Sequence, residues 1–266
     1  MRGKSEGRGD HPLQSGTGGA RPEFFTFHYS LFTFKGDTML GIIGAMDVEI
    51  CALKNMAEKA EVKTVAGIDF VSCTLEGVPA CIAQCRPGKV NAALCTQIMI
   101  DLFSPGLILN IGVGCSLSKE VTIKDIVIAS EVCQYDFDTS AVDGVKGLIF
   151  DDTVKLPTDK EFSHSLIAAA EDYGARVHYG CVATGDTFIG TQKLKDEIVS
   201  DFGAICGEME GGAIGQVCYV NKIPFAVLRS VSDGGDESVA IDYPVFKEIA
   251  AKQSSAVVLS FLRAKK

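Results

Sequence analysis

The sequence has few residues that are suited to holding a metal. It contains only four histidines, and none of its ten cysteines belongs to a Cys-x-x-Cys pair, the spacing typical of zinc and redox sites. Two of the histidines, His11 and His28, lie in an atypical N-terminal stretch. We therefore expect no protein-held metal, no cofactor and no histidine-based catalytic triad.

Basic residues and long apolar runs are also scarce. The chain carries 25 Lys and Arg residues against 34 Asp and Glu residues, a formal net charge of -9, whereas proteins that bind nucleic-acid backbones are usually basic. No apolar run is long enough to span a bilayer. The cysteines are scattered through apolar segments, as expected for small buried side chains in a reducing compartment. These features predict a cytoplasmic protein that binds neither nucleic acid nor membrane.

Residues 1–38 differ from the rest of the chain. They are rich in Gly, Ser and Arg and then carry a polar-interrupted aromatic run, residues 24–34, that does not resemble a signal peptide. We expect this segment to be a leader or non-native extension without fixed structure, with Met39 as the natural first residue. An added strand or a partner-binding arm is the alternative. The functional domain then spans residues 39–266.

From Met39 onward, apolar strands alternate with amphipathic helices. The chain is 47% hydrophobic, enough for one sizeable core. The alternation predicts a single three-layer α/β domain, with a central mixed, largely parallel, twisted sheet flanked by helices. The main predicted strands are 40–45, 71–75, 80–83, 107–111, 125–132, 177–183 and 223–231. The main predicted helices are 88–102, 160–173, 193–199 and 243–262.

Carboxylates follow several of these predicted strands. Glu208 and Glu210 flank Met209 at a strand-to-helix turn, and Asp233 follows the last strand. Open α/β sheets place their ligand sites at such strand ends, where a carboxylate can accept hydrogen bonds from hydroxyls. Glu49 falls in the first turn of the helix after the first strand, a position that the helix dipole also favours. We expect these carboxylates to share one crevice; solvated loop charges are the alternative.

Five segments of the chain stand out together: residues 41–46 with Glu49, 184–189, 208–210, 229–233 and 250–255. In this order, from Met39 to near the C-terminus, they resemble the bacterial 5′-methylthioadenosine/S-adenosylhomocysteine nucleosidases. The resemblance implies the nucleoside phosphorylase/nucleosidase fold. It also implies hydrolysis of the N-glycosidic bond of methylthioadenosine, S-adenosylhomocysteine or 5′-deoxyadenosine, which releases adenine and the 5′-substituted ribose.

The resemblance assigns roles to the carboxylates. Cleavage passes through an oxocarbenium-like ribosyl group, so an acid must assist the departing base and a base should activate water. By resemblance, Asp233 protonates adenine N7 and Glu49 activates the water. Because an ordinary Asp is ionised at pH 7, the pKa of Asp233 would have to be raised by burial or a neighbour.

The resemblance also implies which residues contact the substrate. Glu210 accepts hydrogen bonds from the ribose 2′- and 3′-hydroxyls, with Met209 against the sugar. Phe188 stacks on adenine, and the backbone of Ile189 pairs with its edge. Met46 and Tyr243 line the 5′-alkylthio end, although core packing is the alternative for each apolar residue. The full set expected to bind substrate is Met46, Val113, Phe188, Ile189, Glu208, Met209, Glu210, Ser232 and Tyr243.

The chain departs from the family pattern at several positions: Arg86, Pro87, Val113, Gly114, Cys115, Val142 and Gly144. The family usually has Ser, Ala and Gly at 113–115, a small and an aliphatic residue at 86–87, and aromatics at 142 and 144. The change at Val113 removes a hydroxyl near the expected ribose and water site. These departures leave the 5′ specificity open.

Two other functions remain as alternatives. A purine nucleoside phosphorylase uses the same fold but needs cations around phosphate. Asn110 stands where phosphorylases often carry an arginine, which favours water, while Arg86 argues the other way. A non-catalytic nucleoside-binding or storage protein would be expected to lack Glu49 or Asp233. The resemblance further implies a homodimer in which residues 138–144 of the partner chain complete the pocket.

Overall fold

The computed structural model describes residues 38–150 and 152–264. The predicted leader therefore lies outside the described residues, apart from Thr38. The division of the chain at Met39 stays a prediction.

Ten strands form one sheet, and seven helices accompany it in this part of the chain. The strands are β1 (Leu40–Gly44), β2 (Glu58–Val65), β3 (Ile68–Leu75), β4 (Val78–Gln84), β5 (Leu107–Ser116), β6 (Ile126–Gln134), β7 (Lys155–Pro157), β8 (Val177–Thr184), β9 (Cys206–Glu208) and β10 (Phe225–Asp233). The helices are α1 (Asp47–Asn55), α2 (Lys89–Phe103), α3 (Ser140–Asp143), α4 (Lys160–Asp172), α5 (Gln192–Phe202), α6 (Gly211–Asn221) and α7 (Val239–Arg263).

The sheet is organised around β5, every residue of which is buried. It pairs in parallel with β1 on one side and with β10 on the other. Antiparallel pairs join β2 to β3, β3 to β4, β6 to β7, β5 to β9 and β10 to β6. The predicted mixed sheet is confirmed, although antiparallel pairings are as numerous as parallel ones.

Helices cover both faces of this sheet, as predicted. Alternate residues of β5 point to opposite faces: Leu107 and Leu109 belong to one buried cluster and Ile108 to another. The first cluster contains residues of α1, α4 and α7, and the second contains residues of α2 and α6. The result is the three-layer arrangement that alternating strands and helices predict.

The structure differs from the sequence prediction in β5, in β2 and in the short β7, which the sequence did not predict. β5 continues through residues 112–116, which the glycines suggested would be a loop, because pairing with β10 continues to Cys115. β2 was not predicted, since its largely charged sequence and exposed face lack the apolar alternation of a half-buried strand. No helix in residues 38–150 or 152–264 has the length and apolar character needed to cross a membrane.

Candidate active site

One cavity lies where the carboxyl ends of six strands, β1, β4, β5, β8, β9 and β10, converge. This is the edge of an α/β sheet at which ligands usually bind. The structure brings all the predicted site residues together there. The cavity is lined by Met46, Glu49, Val113, Phe188, Ile189, Glu208, Met209, Glu210, Ser232, Asp233 and Tyr243, along with Ala45, Pro87, Gly114, Cys115, Thr187 and Gly207.

Glu49 is held in the cavity by backbone donors. Its Oε2 atom accepts hydrogen bonds from the N–H groups of Ala45 and Met46, both at 2.8 Å, and Oε1 accepts from the N–H of Val113 at 3.0 Å. Only 1% of the residue is exposed. Burial raises the pKa of the Glu49 carboxyl, against the opposing effects of the Arg229 charge and these N–H donors. A fixed carboxylate of raised pKa is suited to taking a proton.

Asp233 ends β10 on another wall of the cavity. Its Oδ2 atom accepts from the Ser232 hydroxyl at 2.8 Å, and Oδ1 accepts from the N–H of Gly235 at 3.0 Å. A register shift between Val231 and Asp233 in the β5 pairing lets both Ser232 and Asp233 line the cavity. Asp233 is 1% exposed, and burial raises the pKa of its carboxyl despite the two donors. The burial that a proton-donating Asp requires is therefore present.

A buried arginine links the remaining carboxylates. The Arg229 guanidinium is fully buried and donates from Nη2 to Glu208 and Asn110, with the Glu210 carboxylate 3.5 Å from the same atom. Its Nη1 atom reaches the carbonyl oxygen of Val113 at 3.4 Å. Sequence reasoning assigned Arg229 no role. The available signal was an arginine inside an apolar strand, since a buried arginine must be paired.

Glu208 lines the cavity, but its carboxylate is occupied by protein donors. Oε1 accepts from the Thr184 hydroxyl, and Oε2 accepts from Arg229 and from the N–H groups of Glu210 and Gly211, at 2.9 and 2.7 Å. The sequence predicted Glu208 as a substrate contact. The structure shows its oxygens holding the turn between β9 and α6, and its contact with substrate stays a prediction.

Glu210 is less fully engaged than Glu208. Its Oε1 atom accepts from the N–H of Gly88 at 3.0 Å, and Oε2 lies 3.5 Å from Arg229. Burial raises the pKa of the Glu210 carboxyl to about 8, although the Arg229 charge opposes this. Glu210 thus keeps acceptor capacity in the cavity.

The apolar wall of the cavity is built from three contacting side chains. The rings of Phe188 and Tyr243 meet edge to face with centroids 5.1 Å apart, and the Tyr243 hydroxyl lies 3.4 Å from the Met46 sulfur. Phe188 is 48% exposed, so it forms part of the rim. Val113 packs with the α7 residues Ala250 and Ala251. This wall can bury a flat base and an apolar tail.

Metal binding finds no support in the described ranges: no group of three or more His, Cys, Asp or Glu side chains there is arranged to hold an ion. The cavity instead offers two buried carboxyl groups of raised pKa, Glu49 in the first turn of α1 and Asp233 at the end of β10. A third, Glu210, lies beside the buried Arg229. Such an arrangement can donate one proton, accept another and bind hydroxyls.

Comparison with known proteins identifies relatives over most of the chain. Residues 39–263 match the family model described as the phosphorylase superfamily. A 5′-methylthioadenosine/S-adenosylhomocysteine nucleosidase of Haemophilus influenzae strain PittEE is 36% identical over 225 residues, covering 84% of this chain and 98% of the relative.

Solved structures show the same similarity. The Neisseria meningitidis nucleosidase in complex with methylthio-immucillin-A superposes with a TM-score of 0.83 at 29% identity, covering 85% of this chain and 99% of that one. The futalosine hydrolase of Helicobacter pylori superposes with a TM-score of 0.82 at 30% identity, covering 86% and 98%.

Proposed function

This chain belongs to the phosphorylase superfamily and, within it, to the 5′-methylthioadenosine/S-adenosylhomocysteine nucleosidases, and from that premise we propose that Glu49 and Asp233 carry out its chemistry. The protein is an N-glycosyl hydrolase of adenine nucleosides. The observation that carries the assignment of roles is the pair of buried carboxyl groups, one in the first turn of α1 and one at the end of β10, that line one cavity.

Asp233 acts as the general acid. Burial raises the pKa of its carboxyl, which favours the protonated form that can donate to adenine N7. Protonation turns adenine into a better leaving group as the bond between C1′ and the base breaks. The Ser232 hydroxyl and Gly235 N–H fix the carboxyl in place, which limits the reorganisation needed at the moment of transfer.

Glu49 acts as the general base. Three backbone N–H groups hold its carboxylate, and water attacks C1′ of the oxocarbenium-like ribosyl group while Glu49 takes its proton. The products are adenine and the 5′-substituted ribose. Proton exchange with solvent then returns Glu49 to its ionised form and Asp233 to its protonated form.

Glu210 binds the sugar, and Arg229 holds Glu210 in position. The free acceptor capacity of Glu210 suits the 2′- and 3′-hydroxyls, with Met209 beside them. Glu208 and Arg229 hold the turn that presents Glu210, so we assign Glu208 a positioning role.

The apolar wall receives the two ends of the nucleoside. Phe188 stacks on adenine while the Ile189 backbone contacts its edge. Met46 and Tyr243 enclose the start of the 5′-substituent.

Water is preferred to phosphate as the nucleophile because of Asn110. Its side chain is buried, donates to the carbonyl oxygen of Ile43 at 3.0 Å and accepts from Arg229. Arg229, the buried cation of the site, is engaged by Glu208 and Glu210 and is not free to bind phosphate. The test is adenine release from methylthioadenosine with and without phosphate. We expect equal rates and a free sugar; a phosphate requirement and a sugar 1-phosphate product would establish a phosphorylase instead.

We also propose that the protein is a homodimer and that the partner's residues 138–144 roof the 5′ end of the pocket. Support comes from α3 and its flanks, where Val142 is 88% exposed and Phe137 and Val145 are also exposed. A two-fold contact would let each loop cover the other subunit's pocket. Bulk can be added to this loop at Val142 or at Gly144. Gly144 adopts a φ of 75°, which strains any side chain placed there, so Val142→Tyr is preferred to Gly144→Tyr.

Two measurements test the dimer proposal. Sedimentation should give a dimer, and Val142→Tyr should raise kcat/KM for methylthioadenosine relative to S-adenosylhomocysteine. An active monomer would contradict the shared pocket. A cytoplasmic location is the remaining proposal, supported by ten free cysteines, and cell fractionation tests it.

A further inference from the structure

Arg86 is next in sequence to a residue of the cavity wall. The N–H of the preceding residue, Cys85, donates to the carbonyl oxygen of Gly44 at 2.9 Å, and the following residue, Pro87, lines the cavity. Arg86 is exposed and adopts a φ of 71°, a left-handed conformation uncommon for a residue with a side chain. The chain thus carries an exposed cationic residue next in sequence to Pro87 of the cavity wall, on a segment bonded to the end of β1, which leads into Met46.

A second cation approaches the same wall from α7. Lys247 follows Tyr243 by one helical turn, and its Nζ atom lies 5.7 Å from the centroid of the Tyr243 ring. The Tyr243 hydroxyl in turn contacts the Met46 sulfur. Lys247 therefore contacts a side chain proposed to enclose the 5′-substituent, and Arg86 adjoins the cavity-lining Pro87 in the sequence.

Neither cation is paired with a carboxylate of its own chain in the part that the structure describes. Within residues 38–150 and 152–264, no Asp or Glu oxygen lies within ion-pair distance of Arg86 or Lys247. Lys89, three residues further along the chain from Arg86, is by contrast paired with Asp136 at 2.6 Å. In a chain of net charge -9, two unpaired cations beside one end of a cavity favour an anionic group there.

We propose that Arg86 and Lys247 form a subsite for a carboxylate at the end of the 5′-substituent. This inference rests on the proposed function, since it takes the adenine and ribose positions as given. It assigns the protein a preference for adenine nucleosides whose 5′ tail ends in a carboxylate over those with a neutral tail of equal length. Arginine suits this role because its planar fork can bind both carboxylate oxygens.

The expected effect is modest because the pair is open to water. Exposed ion pairs contribute little, so each cation should change the preference by about two- to fivefold. Added salt should weaken the preference, because it screens exposed charges.

The experiment uses three nucleosides. One is the deaminated analogue of S-adenosylhomocysteine, whose tail ends in a carboxylate alone; the second is its methyl ester; and methylthioadenosine serves as the reference. The measured quantity is the ratio of kcat/KM for the acid to that for the ester. Arg86→Gln and Lys247→Gln should each lower this ratio about two- to fivefold and the double variant about tenfold, while Arg86→Lys should retain most of it.

Lys252→Gln is the matched control. It removes the same charge from the exposed surface of the same helix without touching the cavity, and its ratio should equal that of the unaltered protein. Thermal unfolding of each variant checks that it folds.

The possible failures are distinguishable. A ratio that is unchanged in the folded double variant, or lowered equally by Lys252→Gln, overturns the subsite while adenine release still supports the proposed function. No adenine release by the unaltered protein from any of the three nucleosides overturns the proposed function itself. A phosphate requirement whose KM for phosphate rises in Arg86→Gln would make this a phosphate site instead.

Discussion

Replacing Asp233 with Asn separates proton donation from structure. The Asn Oδ1 atom can still accept from the N–H of Gly235, now 3.0 Å from Asp233 Oδ1. Its Nδ2 group can donate to the Ser232 hydroxyl, which can itself donate to the carbonyl oxygen of Gly114, 3.2 Å away. All the local hydrogen bonds can therefore be kept, and we expect the variant to fold.

The catalytic loss should be large. Asn cannot give a proton to adenine, and general acid assistance contributes about 10²- to 10⁴-fold. That range corresponds to about 3 to 5 kcal/mol in the activation barrier. We expect Asp233→Asn to lower kcat by this factor while still binding adenine nucleosides, as measured by adenine release and by calorimetric titration.

Stability should respond in the opposite direction to activity. A carboxyl whose pKa is higher in the folded chain stabilises the fold below its unfolded pKa of about 3.9, and this contribution is lost as pH rises through the folded value. The difference in Tm between Asp233→Asn and the unaltered protein should therefore shift in favour of the variant as pH rises from the unfolded pKa through the folded pKa. Asp233→Ala is the comparison, because it leaves the Gly235 N–H unsatisfied and should cost about 1 to 3 kcal/mol of stability.

Two results would refute this reasoning. One is a folded Asp233→Asn variant with near-normal turnover, which would remove Asp233 as the acid. The other is a Tm that falls as much in Asp233→Asn as in Asp233→Ala, which would mean that the loss of activity reports unfolding.

Three further predictions concern the other charged residues. Glu49→Gln should lower kcat by about 10²- to 10⁴-fold with nucleoside affinity retained, and normal turnover would exclude it as the base. Arg229→Met should lower the free energy of unfolding by about 3 to 5 kcal/mol in denaturant titration, because it strands Glu208 and Glu210 as buried unpaired carboxylates; a smaller loss than that of exposed Lys252→Met would contradict the buried network. Nucleoside affinity should rise as pH increases toward about 8, because ionised Glu210 accepts from the ribose hydroxyls, and Glu210→Gln should abolish this pH dependence.

The fold was predictable from the sequence wherever burial imposed a pattern. β1 and β10 are apolar runs bounded by turn residues, so their place in the sheet could be read directly. β2 could not, because its exposed, charged side chains carry no such pattern and its pairing with β3 alone defines it as a strand. β5 was predicted too short because its glycines suggested a loop, whereas neighbouring strands enclose them.

The candidate site, too, could be predicted from the sequence only in part. Glu49, in the helical turn after β1, and Asp233, at the end of β10, could be placed in one crevice because parallel strands bring their carboxyl ends to one edge. The partners of each side chain could not be predicted, since they depend on contacts between distant segments. Arg229 donates to Glu208 and Asn110, which lie 21 and 119 positions away in the sequence. Its hydrogen bond to Glu208 helps to occupy that carboxylate, whereas the Glu210 carboxylate keeps acceptor capacity.

The position of β5 between an early strand and a late one bears on how the chain is made. β1 is synthesised at the start of the domain, whereas β10 appears only from Phe225 onward. Until that point, a chain emerging from the ribosome carries its longest fully buried strand, β5, with one long edge lacking its native partner. Such an edge can pair with another chain, so the growing polypeptide depends on prompt completion or on chaperones to avoid aggregation.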